Sequence, residues 1–130
     1  MMSLDEQPSV LLAEADPVLG LDLSDALERA GYRVLGPVDT LATALRCLKA
    51  DTPTLAVIDV VLKDGLCAQL SRELRQRGIP FLVHSDCQRD QRLTGDVEDA
   101  PWLVKPAPPE DVMVLLDGLF FSTPVPTNIG

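Results

Sequence analysis

TLAVIDVVLKDG, residues 54–65, is the stretch on which the fold turns. Its run Leu55-Ala56-Val57-Ile58 is apolar without alternation and stops at a carboxylate, Asp59. A strand with one face in water would alternate, so this run reads as a strand covered on both faces. Three other apolar runs end the same way: VLLA (10–13) at Glu14, FLVH (81–84) at Ser85, and WLV (102–104) at Lys105-Pro106. If the runs are parallel strands of one sheet, their carboxyl ends lie together. Residues from opposite ends of the chain then share one pocket.

Between the runs the spacing becomes helical. Leu19, Leu23, Leu27 and Ala30 form one stripe over Pro17–Ala30, opened by the cap-and-first-turn pair Asp16-Pro17 and stopped by Gly31. A second strand is expected at Arg33–Leu35, then a turn at Gly36-Pro37 and a helix over Leu41–Lys49. The third strand is placed at Leu55–Val60, followed by a helix through Leu66, Leu70 and Leu74 that ends at Gly78. Ile79–His84 supplies the fourth strand and Trp102–Val104 the fifth, and Pro109 opens a last helix striped by Val112, Leu115, Leu116 and Leu119. QRDQRLTGDVEDA (88–100) is polar, and only a short or frayed helix is expected in the segment 87–100. The domain is placed at 8–121 and a flexible, proline-containing tail at 122–130.

Five strand-then-helix units imply a parallel sheet with helical crossovers of fixed hand on both faces. The predicted architecture is α/β, a flavodoxin-like (βα)5 three-layer sandwich with strand order 2-1-3-4-5. Its switch point lies between strands one and three, so Glu14 and Asp59 face each other across the crevice.

Composition narrows the function classes. The 130 residues suffice for one domain with a core, and 46% hydrophobic residues argue against disorder. Twenty acidic residues against 11 basic ones give a net charge of −9, which repels phosphate backbones, so no nucleic-acid partner is expected. No run reaches the length of a membrane span, and MMSLDEQPS lacks the pattern of a signal peptide, so no membrane association and a cytoplasmic location are expected. Cys47, Cys67 and Cys87 are odd in number and make no close metal-binding pair, so they read as free thiols.

On the residues alone, Asp59 at a strand end is either a turn cap before Lys63-Asp64-Gly65 or a carboxylate that needs a cation. Lys105 favours the second reading, because its ammonium points to the same crevice and could neutralise Asp59 or a phosphoryl oxygen. Ser85 adds a hydroxyl, although serine at a strand end is commonly a turn residue. His84, the single histidine, reads as a strand side chain covered by a helix or loop.

Together these residues resemble the receiver domain of two-component response regulators, over about Val10–Leu119. GYRVLGPVDTLATAL (31–45), RQRGIPFLVHSD (75–86) and APWLVKPAPPEDV (100–112) look like the single-domain receivers, akin to the chemotaxis response regulator, that are common in alphaproteobacteria. The resemblance implies that Asp59 accepts a phosphoryl group from a histidine kinase or a histidine phosphotransfer protein. It makes Ser85 the hydroxyl that senses the phosphoryl group, Lys105 the counter-charge before a proline often joined in cis, and Trp102 the aromatic switch. It also implies Mg2+, held by Glu14, Asp59 and the backbone carbonyl of Val61, with Asp16 a further candidate ligand.

The sequence departs from the family at Ala15, which stands where most receivers carry a second acid that ligates the metal directly. Neighbouring strand residues face opposite ways, so Asp16 cannot simply take over. The expectation is therefore a phosphoprotein of two-component phosphorelay signalling that forms an aspartyl phosphate. It is not an enzyme beyond self-catalysed phosphorylation and dephosphorylation, and it signals through protein contact. The expected contact face is built by the helix between 87 and 100, the fifth strand and the last helix; homodimerisation stays open. The alternative is a pseudo-receiver interaction module that works without phosphorylation because of Ala15. A small phosphatase with Asp59 as nucleophile ranks third. The haloacid-dehalogenase pattern fails because Val61 stands where a second aspartate is required, and glycine-rich phosphate loops are absent.

Overall fold

The computed structural model describes residues 7–86 and 100–122. Strand β1 (Ser9–Ala13) leads to helix α1 (Pro17–Arg29), strand β2 (Arg33–Val38) and helix α2 (Leu41–Ala50). Strand β3 (Leu55–Ile58) is followed by a small hairpin, β4 (Val61–Leu62) and β5 (Gly65–Leu66), and then helix α3 (Ala68–Gln76). Strands β6 (Phe81–Ser85) and β7 (Trp102–Val104) precede the last helix, α4 (Pro109–Ser122). The main sheet is parallel with order β2-β1-β3-β6-β7. With the hairpin set aside this is the predicted 2-1-3-4-5, and the flavodoxin-like α/β class holds.

Burial on both faces explains the runs without alternation. Leu11, Ala13, Ala56, Ile58, Phe81 and Val83 point into a core closed by Ala44 and Leu48 of α2 and Leu70 and Leu74 of α3. Val10, Leu12, Leu55, Val57 and Leu82 point the other way, onto Leu23 and Leu27 of α1 and Val112 and Leu116 of α4. Each strand therefore needs apolar side chains at odd and even positions alike.

Helix starts follow local chemistry. The Asp16 carboxylate accepts the N–H groups of Val18 (3.0 Å) and Leu19 (3.3 Å), and Pro17 takes the first turn. Thr40 caps α2 through the Thr43 N–H at 3.1 Å.

Four boundaries differ from the sequence reading. β2 continues through Gly36-Pro37 to Val38, although a turn was predicted there. The Gly36-Pro37 peptide is cis, and Gly36 has φ of +113°, where an added Cβ would lie 2.8 Å from the Leu12 carbonyl oxygen. β3 ends at Ile58, so Asp59 and Val60 already belong to the loop. Leu66 lies exposed in the hairpin, paired with Val61, and α3 starts only at Ala68. β6 starts at Phe81 and includes Ser85, because Pro80 has no N–H for the ladder. The helix expected between 87 and 100, Cys87, and the tail beyond Ser122 lie outside the described residues.

Candidate functional site

The parallel ladders extend one residue past their strands and fix the pocket backbone. Glu14 N–H donates to the Val38 carbonyl (2.8 Å), Asp59 N–H to the Ala13 carbonyl (2.9 Å), and Lys105 N–H to the Ser85 carbonyl (2.8 Å). The strand-end residues thereby converge at the carboxyl edge of the sheet. A cavity of about 260 Å3 there is lined by Glu14, Ala15, Asp16, Asp59, Val61, Ser85, Asp86 and Lys105. Every site residue predicted from sequence lines it except Trp102, which sits half-buried on β7 opposite Val83 and packs against the core on the α2/α3 side.

Lys105 is the hub. Its Nζ lies 2.8 Å from Glu14 Oε2 and 3.0 Å from Asp59 Oδ2, and the Lys105-Pro106 peptide is cis. Glu14 Oε2 also accepts the Asp16 N–H at 3.0 Å, whereas among the described residues the amide donor to Asp59 Oδ2 is the more distant Ala15 N–H, at 3.4 Å. Both carboxylates are almost fully buried, with Glu14 2% and Asp59 5% exposed.

This unequal supply of donors separates the two acids. Burial opposes charge on Glu14, but His84, Lys105 and the Asp16 N–H bring its pKa down to about 2. Burial, followed by the neighbouring Glu14, pushes Asp59 up to about 6, with Lys105 opposing. Burial likewise works against the Lys105 ammonium, and the two carboxylates overcome it, so its pKa is raised. At neutral pH the trio carries two negative charges and one positive.

The bland reading of His84 holds: the ring is 1% exposed, on β6. Tertiary structure adds a neighbour invisible in the sequence, since its Nδ1 lies 3.7 Å from Glu14 Oε1, a contact longer than a hydrogen bond. Sequence reasoning also missed the fastening of the loop after Asp59. The Asp64 carboxylate accepts the N–H groups of Leu41 and Ala42 (3.0 Å to the latter), and Lys63 pairs with Asp39 at 2.8 Å. These bonds join the hairpin to the start of α2 across more than 20 positions, a separation that no local motif signals.

The donor set fits magnesium poorly. Mg2+ takes six oxygens in near-ideal octahedral geometry, one or two of them carboxylates. Glu14, Asp59 and the Val61 carbonyl are the oxygens at hand, but Ala15 supplies none. Asp16 is exposed, with Oδ1 turned onto the α1 amides. Among the described residues, no group of three His, Cys, Asp or Glu side chains is arranged to hold a metal ion.

Strand order and crevice define a doubly wound, flavodoxin-like α/β domain with acids at its strand ends. No protein-family model and no curated protein matches the chain by sequence. Solved structures do. The non-phosphorylated HemR receiver domain from Leptospira biflexa matches with TM-score 0.80 at 28% identity, over 93% of this chain and 99% of that one. The receiver domain of the PhyR response regulator from Erythrobacter litoralis matches with TM-score 0.78 at 23% identity, over 95% and 97%. A response regulator receiver protein from Sinorhizobium medicae WSM419 gives TM-score 0.80 at 23%, over 92% and 98%. The latter two show likeness of fold alone. The chain has the receiver-type fold of these structures, and its similarity to the HemR receiver domain supports a response-regulator role. Among the described residues, no helix is long and apolar enough to cross a membrane.

Proposed function

We propose that the chain accepts a phosphoryl group on Asp59 from a phosphohistidine, carried by a histidine kinase or a phosphotransfer protein, and passes the signal on by protein contact. The observation that carries this reading is Asp59 itself. It is a buried carboxylate at the end of the central strand, 3.0 Å from the Lys105 ammonium, in a cavity that Ser85 also lines. A carboxylate oxygen attacks phosphorus in line, the O–P bond forms as the N–P bond breaks, and the departing imidazole takes a proton from solvent. Lys105 offsets charge on the equatorial oxygens, and the Ser85 hydroxyl donates to one of them.

Once Asp59 carries the phosphoryl group as an acyl phosphate, Lys105 and Ser85 turn towards the new phosphoryl oxygens. Ser85 and Trp102 lie two register positions apart across the β6–β7 pair, so a shift of one bears on the other. The partner face then lies on β7 and α4, where Val104, Val114 and Phe121 are exposed. Incubation with acetyl phosphate or phosphoramidate should add one phosphate by intact mass. That adduct should be missing in Asp59→Asn, and an adduct of equal yield in the variant would sink the assignment.

A second reading rests on Ala15: a receiver-shaped interaction module whose contacts do not depend on phosphorylation. Failure of every donor, together with unchanged partner binding in Asp59→Asn, would favour it.

A further inference from the structure

The place at which receivers commonly seat a divalent ion is built differently in this chain. The residue after Glu14 is alanine, half-buried at the pocket wall, and the next acid, Asp16, is committed to the α1 amides. What remains is two carboxylates that share one ammonium at 2.8 and 3.0 Å. The same two oxygens, Glu14 Oε2 and Asp59 Oδ2, also take backbone N–H groups. Oxygens that already accept an ammonium and an amide are poor ligands for an ion that strips hydration only for strong, well-placed donors. Charge points the same way: the trio sums to −1, and an acid at position 15 would make it −2. Attraction for a dication falls accordingly.

We infer that Lys105 serves as the resident cation of this pocket, so that chemistry at Asp59 is independent of divalent metal. The inference rests on Asp59 being the acceptor only for its second half; weak metal binding stands on the donor set alone. In the transfer, the Asp59 oxygen forms its bond to phosphorus as the donor's bond breaks. The leaving group, acetate from acetyl phosphate or imidazole from phosphohistidine, departs to solvent. Among the described residues lining the cavity, Lys105 alone supplies fixed positive charge beside the moving phosphoryl group.

Titration calorimetry with Mg2+, and separately Mn2+, tests the first half on the whole chain. Wild type should give no saturable binding in the physiological millimolar range. Ala15→Asp should bind at least roughly tenfold more tightly, and so should Lys105→Met, which empties the ammonium's place without adding a ligand. Thermal unfolding of each variant checks that it is folded. Saturable binding by wild type, or equal affinity in all three folded proteins, overturns the inference. The second half is read by intact mass after acetyl phosphate treatment, in Mg2+ and in chelator. Equal adduct in both is expected for wild type, and adduct only with Mg2+ overturns the inference. No adduct in either condition, with Ala15→Asp phosphorylated, refutes metal-free chemistry in the wild-type pocket. No adduct in either protein counts against Asp59 as acceptor and leaves the calorimetry to decide the metal question.

Discussion

Asp59→Asn removes an ionised group that burial and Glu14 hold unfavourably, and it should stabilise the protein. The carboxyl is pushed from 3.8 up to about 6 by burial and by Glu14. An acid whose folded pKa lies above its unfolded value binds more protons folded than unfolded between the two values, so stability falls as pH rises through that window. Below about pH 4 the group is neutral in both states and contributes nothing. Above about pH 6 it is charged in both, and the full difference is present. That difference is about 3 kcal/mol, with little solvent screening at 5% exposure. Asparagine keeps an oxygen for the Lys105 ammonium and the Ala15 amide, so most of the gain should survive.

Urea unfolding of wild type and variant across pH 4–8 reads this directly. The variant should be more stable by about 2–3 kcal/mol at pH 7–8, a rise in Tm of roughly 5–10 °C. The gap should close as pH falls towards 4. A variant less stable at pH 7.5, or a gain that does not depend on pH, would refute the reasoning, since either means the buried charge is fully compensated in the fold.

The remaining predictions concern the same pocket and its supports. Lys105→Met leaves two buried carboxylates facing each other and should cost about 3–5 kcal/mol at pH 7; because Lys105 holds the Asp59 pKa down, Asp59 in the variant takes its proton at higher pH, and chemical denaturation should show the loss shrinking as pH falls towards 6. Glu14, held at about 2, contributes stability that is present above 4.5 and lost as pH falls towards 2; Glu14→Gln should therefore flatten the acid limb of the wild-type unfolding profile. Asp16→Ala removes the cap of α1 and should cost about 1 kcal/mol in urea unfolding without changing the phosphorylation yield. Leu70→Ala, in the core under α3, should cost about 2–5 kcal/mol and leave the pH profile unchanged.

The legible parts of this protein were those written in local chemistry. The Asp16-Pro17 pair announces the start of α1 because a carboxylate satisfies open amides wherever they occur. The unalternating run Leu55–Ile58 announces a central strand because both of its faces are dry. Where a boundary was misjudged, a neighbour had overruled the local signal. β2 runs on through Gly36-Pro37 because the Val38 carbonyl is held by the Glu14 N–H, and Leu66 leaves the α3 stripe because it pairs with Val61.

By itself the sequence determined the layer architecture, the strand order, and which four strand ends carry polar side chains, since these follow from the periodicity of burial and the handedness of crossovers. It also fixed the missing carboxylate at Ala15. Only the tertiary structure decided how charge is shared among those ends. It gave Glu14 two strong donors and Asp59 one, and set His84 beside Glu14. It also turned Asp16 outward onto α1. The physical reason is range: periodicity is a property of neighbours in the chain, whereas the pKa of a buried acid depends on donors within a few ångströms, and here the decisive one, Lys105, comes from the far end of the sequence.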